Sequence, residues 1–175
     1  MLMITVSVDF CNPFSQKFYD DVIDSLQFHQ LTCPCGHSGC LTIHGYYDRT
    51  VKSGDSDLRI HVCRVICREC GHTHALLLSS IVPYSQVSLT VQIDIIEHSQ
   101  SDGDFSAVMD ATPSIDESCV RSVIRRFRRH WEQRLLSENI LLSLSMDFIR
   151  CCFSAFHRQF MQIKSTPNIL FLTPT

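Results

Sequence analysis

Two cysteine-bearing turns constrain this chain more than any other feature. One is Cys67-Arg68-Glu69-Cys70-Gly71, where the spacing lets both sulfurs face one point and the glycine lets backbone amides turn toward them. The other is the run CPCGHSGC, which carries Cys33, Cys35 and Cys40. Ten cysteines would form a disulfide framework in a secreted chain. The opening MLMITVSVDF has no basic flank before its apolar stretch and no small-residue cleavage site after it, so a cytoplasmic location is expected instead. Reduced thiols gathered in turns then read as metal ligands. A structural zinc takes four of them in a tetrahedron, and two turns at the ends of two hairpins supply that set. One structural Zn2+ is therefore expected, with Cys67 and Cys70 as one arm. Cys33 and Cys35 are the first choice for the other, because Pro34 and Gly36 match a Cys-Pro-x-Cys-Gly turn shortened by one residue. Cys35 with Cys40, or His37 in place of one thiol, is the second choice. Glu69 is expected to project into solvent, and a closed four-ligand site leaves no open position for catalysis. His72 and His74 read as surface positions on the hairpin, with contacts to ligand sulfurs or nucleic acid as the alternative. Cys11, Cys119, Cys151 and Cys152 are scattered and read as small packing residues.

The stretch 31–85 consists of short strands separated by glycines, and holds five of the six glycines of the chain, which together with the cysteine turns makes a zinc ribbon. Leu41 to His44 and Tyr46 to Val51 read as strand, and Ser53-Gly54-Asp55 as a hairpin turn. Leu58, Ile60 and Val62 alternate with Arg59, His61 and Cys63 along the next strand, and a further arm runs through Ala75 to Leu78. Ahead of the ribbon, 1–30 reads as a strand with Ile4, Val6 and Val8, then a helix. Asn12 would cap that helix, Pro13 would hold its first position, and Phe14, Phe18, Val22 and Leu26 would form its apolar face.

Beyond Pro83, 86–139 reads as helical. Ser88 caps a helix from Leu89 to about His98, an SDGD turn closes it, and Phe105 to Met109 forms a short helix before a break at Ala111-Thr112-Pro113. Ser114-Ile115-Asp116-Glu117 has the form of a capping box. It would open one long helix whose Val120, Ile124, Phe127, Trp131 and Leu135 make a continuous buried stripe. The remainder, 140–175, reads as a helix from Leu141 to Ile163 ended by Pro167, with an extended ILFL after it. Its Phe148, Ile149, Phe153, Phe156, Phe160 and Met161 are core or the face of a homodimer. The fold class is α+β: an N-terminal strand and helix, zinc-ribbon β-hairpins, a helix-turn-helix-like helical region and a C-terminal helix.

A 45% hydrophobic and 19% charged composition is that of an ordinary folded chain. No apolar run reaches the roughly 18 residues a membrane span requires. The net charge of -3 argues against a nucleic-acid partner until its distribution is read. Between Val87 and Val120 every charged residue is acidic, whereas Arg121, Arg125, Arg126, Arg128, Arg129 and Arg134 follow with Glu132 alone against them. A helix that buries one stripe and shows arginines elsewhere can lie along a duplex, as the second helix of a helix-turn-helix does. Ser118, Arg121, Ser122 and Arg125 would approach base edges, and Arg128 and Arg129 the phosphates. A solvated basic face is the bland alternative.

CPCGHSGC, HGYYDR, CRECGHTHALLLSSIVPYSQ, SIDES, FRRHW and HRQFMQIKSTPN together resemble a bacterial family of unknown function made of short zinc-ribbon proteins. The ribbon through SIVPYSQ is similar to the N-terminal recognition region of insertion-sequence transposases. That resemblance implies double-stranded DNA as a partner and a link to mobile elements. The transposases' catalytic domain is not matched: after Leu135 the chain offers only Glu138 and Asp147 as acids. No Gly-rich phosphate loop, nucleophile elbow or His-Glu-x-x-His pair occurs either, so an enzyme is not expected. The competing class is an adaptor that docks on a transposase or ATPase without binding DNA itself.

Overall fold

The computed structural model describes residues 2–6, 8, 14–53, 56–101, 105–163 and 171–172. β1 (Leu2–Val6), β2 (Leu41–Lys52), β3 (Asp57–Cys67), β4 (Thr73–Leu78) and the two-residue β5 (Phe171–Leu172) form one sheet in the order β2-β3-β4-β1-β5. The ribbon strands β2, β3 and β4 are antiparallel neighbours, while β1 runs parallel to both β4 and β5. The first strand thus belongs to the same sheet as the ribbon, with Ile4 opposite Leu76 and Val6 opposite Leu78. Because β4 has a partner on each edge and cover on each face, Ala75 to Leu78 are all fully buried instead of alternating. The β2–β3 hairpin pairs from Leu41 opposite Cys67 to Lys52 opposite Asp57, with a bulge between Ile43 and Gly45. Gly54 and Asp55 of the expected turn lie outside the described residues.

α1 (Gln16–Ser25) packs on this sheet. The expected cap Asn12 and the following Pro13 lie outside the described residues, and the observed cap is Ser15, whose Oγ accepts from the Phe18 amide at 3.1 Å. The helix buries Tyr19 and Ile23, with Leu26 just beyond, while Phe14, Phe18 and Val22 flank them half-buried. The Tyr19 hydroxyl donates to the Leu76 carbonyl at 2.9 Å and accepts from the Cys63 amide at 2.9 Å, so one side chain ties the helix to two strands.

The helical part consists of α2 (Leu89–Ser101), α3 (Ser106–Ala111), α4 (Glu117–His130), α5 (Glu132–Ser137) and α6 (Met146–Phe156). Ser88 caps α2, accepting from the Val91 amide at 3.4 Å. Residues 102–104 of the SDGD turn lie outside the described residues. Three expectations are corrected here. Asp116, not Ser114, caps α4: its Oδ1 accepts from the Cys119 amide at 2.8 Å. A carboxylate is the stronger acceptor at the positive end of a helix, and this choice makes Glu117 the first helical residue. The single long helix is broken at Trp131, whose backbone departs to φ -125° and ψ -36°. There the indole enters an aromatic cluster, edge-on to Phe156 and Phe160 at ring distances of 5.5 and 5.0 Å. The last helix starts at Met146 and not at Leu141, because Ser145 accepts from the Phe148 amide at 3.1 Å and fixes the start. It ends at His157, in the left-handed conformation. Pro167, Ile169 and Leu170 lie outside the described residues.

The buried apolar residues fall into two clusters, one from Ile4 to Ile81 under the sheet and one from Val82 to Met161 among the helices. Polar contacts join them. Arg49 donates through Nη2 to the Val82 and Ser85 carbonyls at 2.6 and 2.7 Å, and Lys52 Nζ to the Ser114 carbonyl at 2.8 Å. Buried Gln159 donates to the Ser79 and Ile81 carbonyls at 2.6 and 3.2 Å. Among the described residues no helix is long and apolar enough to cross a membrane.

Candidate metal centre

The two cysteine turns meet at one end of the hairpin. At the β3–β4 turn the Cys67 amide donates to the His72 carbonyl at 3.0 Å, the Gly71 amide to the Cys67 carbonyl at 2.9 Å, and the Cys70 amide to Cys67 Sγ at 3.4 Å. Gly71 has φ +69°, and Gly36 in the other turn φ +96°; a side chain at either would meet nothing within 4 Å, so it is the left-handed backbone that calls for glycine. In the upstream arm the Cys33 amide donates to the His37 carbonyl and the Gly36 amide to the Cys33 carbonyl, both at 2.8 Å. The Arg68 amide donates to the Cys40 carbonyl at 2.9 Å, which locks the arms together.

This brings Sγ of Cys33, Cys35, Cys67 and Cys70 within 4.8 Å of one another. Cys33 and Cys70 are 3.8 Å apart and Cys35 and Cys67 3.7 Å. A zinc–sulfur bond of about 2.3 Å makes the edge of a tetrahedron about 3.8 Å. The four thiols therefore fit one zinc ion, which would cross-link the two turns. Cys40 stands beside this set, its thiol donating to the His37 carbonyl at 3.1 Å while its sulfur lies 3.3 Å from Cys67 Sγ. His37 Nδ1 lies 3.4 Å from Cys35 Sγ. Both alternative ligands are thus neighbours of the cluster. Glu69 is exposed, as expected between two ligands.

The thiols are not equivalent. The His37 amide and ring hold Cys35 below the usual thiol range. Burial works to raise Cys67, but the Cys70 amide, the contact with Cys40 and the Glu69 amide outweigh it and bring the thiol down to about 6. Burial pushes Cys33 up. At Cys70 the His72 amide lowers the value, yet burial and the Cys67 thiol leave it raised.

His74 corrects the sequence reading. It was expected on the surface, and it is fully buried, with Nε2 3.4 Å from Cys33 Sγ and Nδ1 without a hydrogen-bond partner. The signal for this was present in the continuous apolar run after it, which marks a strand covered on both faces. His72 is exposed. Of the other cysteines, Cys63 and Cys152 are buried, Cys119 is half-buried and Cys151 is exposed; Cys11 lies outside the described residues.

Residues 33–127 match the family described as a domain of unknown function, DUF6431. The chain belongs to that family. No curated protein and no solved structure matches it. The DUF6431 segment opens on the first thiol of the cluster and closes on Phe127, within α4, so it holds both metal arms and most of the arginine-bearing helix.

Along that helix Val120, Val123 and Phe127 are buried, and Ile124 is half-buried beside them. Ser118, Arg121, Ser122, Arg125, Arg128 and Arg129 are exposed. Two of these six are engaged locally: Ser118 donates to Asp116 Oδ1 at 2.6 Å, and Arg121 pairs with Glu117 one turn earlier. Arg125, Arg128 and Arg129 form no ion pair with any described residue. Arg126, left aside when the sequence is read for contacts, lies at the margin of the buried stripe, with Nε and Nη1 enclosed and unpartnered. Its place next to Phe127 in the stripe was the available signal.

Proposed function

We propose that this protein is a non-catalytic zinc-binding protein that binds double-stranded DNA, the ribbon serving as a rigid frame and α4 as the contact helix. The observation that carries the reading is the outer face of α4. Three arginines there, Arg125, Arg128 and Arg129, are exposed and form no ion pair with any described residue. Such a face adds phosphate affinity in proportion to the counterions it releases. The short α3 and the break before α4 give the pair the order of a helix-turn-helix unit. The link to a mobile element or its transposase rests on the resemblance of the ribbon alone.

The test is a salt titration of purified protein on selected and scrambled duplexes. Arg128→Ala and Arg129→Ala are expected to weaken every duplex alike and to lower the salt slope by about one each. Arg121→Ala or Arg125→Ala is expected to cost about 1 to 3 kcal/mol on a selected site and relax one base position. Absence of any duplex binding by the parent at low salt defeats the reading. The adaptor class then takes over, and it has its own support: Leu136 and Leu141, 68% and 84% exposed, offer an apolar strip beyond α4 to a transposase or ATPase. The aromatics of α6 fit a homodimer face less well, since Phe148 and Phe156 already pack against Phe160 and Trp131.

A further inference from the structure

We propose that the thiol cluster is a reversible oxidation site for peroxide, in which exposed Cys35 takes the oxidant and Cys67 and Cys40 store the oxidised state as a disulfide that releases zinc. The site rests on the zinc reading and is independent of the DNA reading. Of the four ligand cysteines only Cys35 is exposed, while Cys33 and Cys67 are buried and Cys70 is half-buried. Susceptibility to peroxide follows thiolate character and exposure, and a ligand sulfur is held as thiolate, so a small oxidant in solvent reacts at Cys35 first. Cys67 Sγ stands 3.7 Å from Cys35 Sγ, and Cys40 Sγ 3.3 Å from Cys67 Sγ, so the three sulfurs form a chain that leads inward. Cys40 is outside the four-sulfur set and can enter a disulfide without first giving up a ligand bond. The backbone singles out the same pair. The Arg68 amide donates to the Cys40 carbonyl at 2.9 Å and Leu41 pairs with Cys67 at the end of the β2–β3 ladder, contacts that do not depend on a metal. Cys35 sits in a turn whose backbone bonds, Gly36 to Cys33 and Cys33 to His37, stay within the turn. The disulfide that lasts is therefore Cys40–Cys67.

In the first step the O–O bond of peroxide breaks, one oxygen joins the Cys35 sulfur as a sulfenic acid, and the other leaves as water with a proton from solvent. The Cys67 thiolate then attacks that sulfur, and the second oxygen leaves as water in the same way. Cys40 attacks Cys67 in turn: the Cys35–Cys67 bond breaks, and the Cys40 proton passes to Cys35, which is restored as a thiol. Two electrons have gone from Cys40 and Cys67 to one peroxide, and two waters have formed. With Cys67 lost as a ligand, the remaining three sulfurs no longer close a tetrahedron.

The experiment uses the full chain loaded with zinc, in thiol-free buffer, with hydrogen peroxide as the oxidant. Zinc release is read with a chromophoric chelator, and alkylated peptides are mapped by mass spectrometry. The parent is expected to lose its zinc and to carry a Cys40–Cys67 disulfide with Cys35 still open to alkylation. Dithiothreitol with added zinc then restores the metal and the melting temperature. Cys35→His keeps a fourth ligand but offers no sulfur to peroxide, so it holds its zinc against the same treatment. Cys40→Ser halts the chain one step early, as a Cys35–Cys67 disulfide. Cys151→Ser, which removes an exposed thiol on α6, changes neither release nor map. Zinc that stays in place overturns the proposal, as does sulfinic acid at Cys35 as the main product or a parent map without the Cys40–Cys67 bond. If Cys35→His takes up no zinc, Cys40→Ser decides, and absence of the Cys35–Cys67 disulfide there overturns the relay. A parent that holds no zinc before oxidation defeats the zinc reading itself, and the disulfide map alone then decides the oxidation site.

Discussion

Cys40 and His74 touch different thiols of the cluster, Cys67 and Cys33, and each makes the four-sulfur set testable. Cys40 Sγ approaches Cys67 at 3.3 Å, closer than the edge of a zinc–sulfur tetrahedron, and it has its own acceptor in the His37 carbonyl. Elemental analysis is expected to give one zinc per chain, retained in Cys40→Ala and Cys119→Ala and lost with thermal stability in Cys67→Ala. Two zincs, or a melting temperature indifferent to chelation, would defeat the assignment. His74 is placed to donate Nε2–H to the Cys33 sulfur, which orients a ligand and spreads its charge. Removal of such a partner costs about 10- to 100-fold in metal affinity. His74→Phe should therefore bind zinc with the same stoichiometry but yield it to a competing chelator at lower chelator concentration. Unchanged competition would reduce His74 to a packing residue.

At the scale of elements, the cap and the aromatic seam of the arginine helix are the points where single changes matter. The Ser118 hydroxyl and the Cys119 amide hold the Asp116 carboxyl down to about 2, below its ordinary 3.8. A carboxylate so depressed stabilises the fold fully above 3.8 and loses that contribution as the pH falls toward about 2. Asp116→Ala is thus expected to lower the melting temperature near neutral pH, with the deficit closing over that acid range; a deficit independent of pH would show that the charge is not what matters. Trp131 is fully buried against Phe156 and Phe160. Urea unfolding of Trp131→Ala should show a loss of about 3 to 5 kcal/mol, and a variant that kept its stability but lost ligand binding would invert the helix faces. These elements also show what a sequence discloses. The β2–β3 hairpin was legible because alternation and a glycine-bearing turn are local signals, and so was the stripe from Val120 to Leu135. The break at Trp131 was not, since it follows from where Phe156 and Phe160 stand. The capping box failed because Ser114 and Asp116 both carry cap chemistry and only the fold selects between them. The placing of β1 beside β4 was missed because a strand's partner on its second edge comes from a distant part of the chain, whereas the burial of His74 could have been read from the continuous apolar run after it.

At the scale of the molecule, Gln159 ties the sheet to the helices with three side-chain hydrogen bonds, against two from Arg49 and one from Lys52. It reaches from the turn after α6 to two carbonyls past β4, and its Oε1 accepts from Thr5 Oγ1 at 3.3 Å. Gln159→Leu leaves those buried groups without a partner and is expected to cost about 1 to 3 kcal/mol, read as a lower urea midpoint of both the sheet and the helices; no change would place the coupling in the Arg49 and Lys52 contacts. The sheet order has a different consequence, in time. β1 is first along the chain, but both of its partners, β4 at Thr73–Leu78 and β5 at Phe171–Leu172, come later. At synthesis rates of about 5 to 20 residues per second, β1 leaves the ribosome several seconds before β4 exists. The β2–β3 hairpin can form from neighbouring chain in the meantime. The earliest strand therefore cannot take its place in the sheet until β4 has been made.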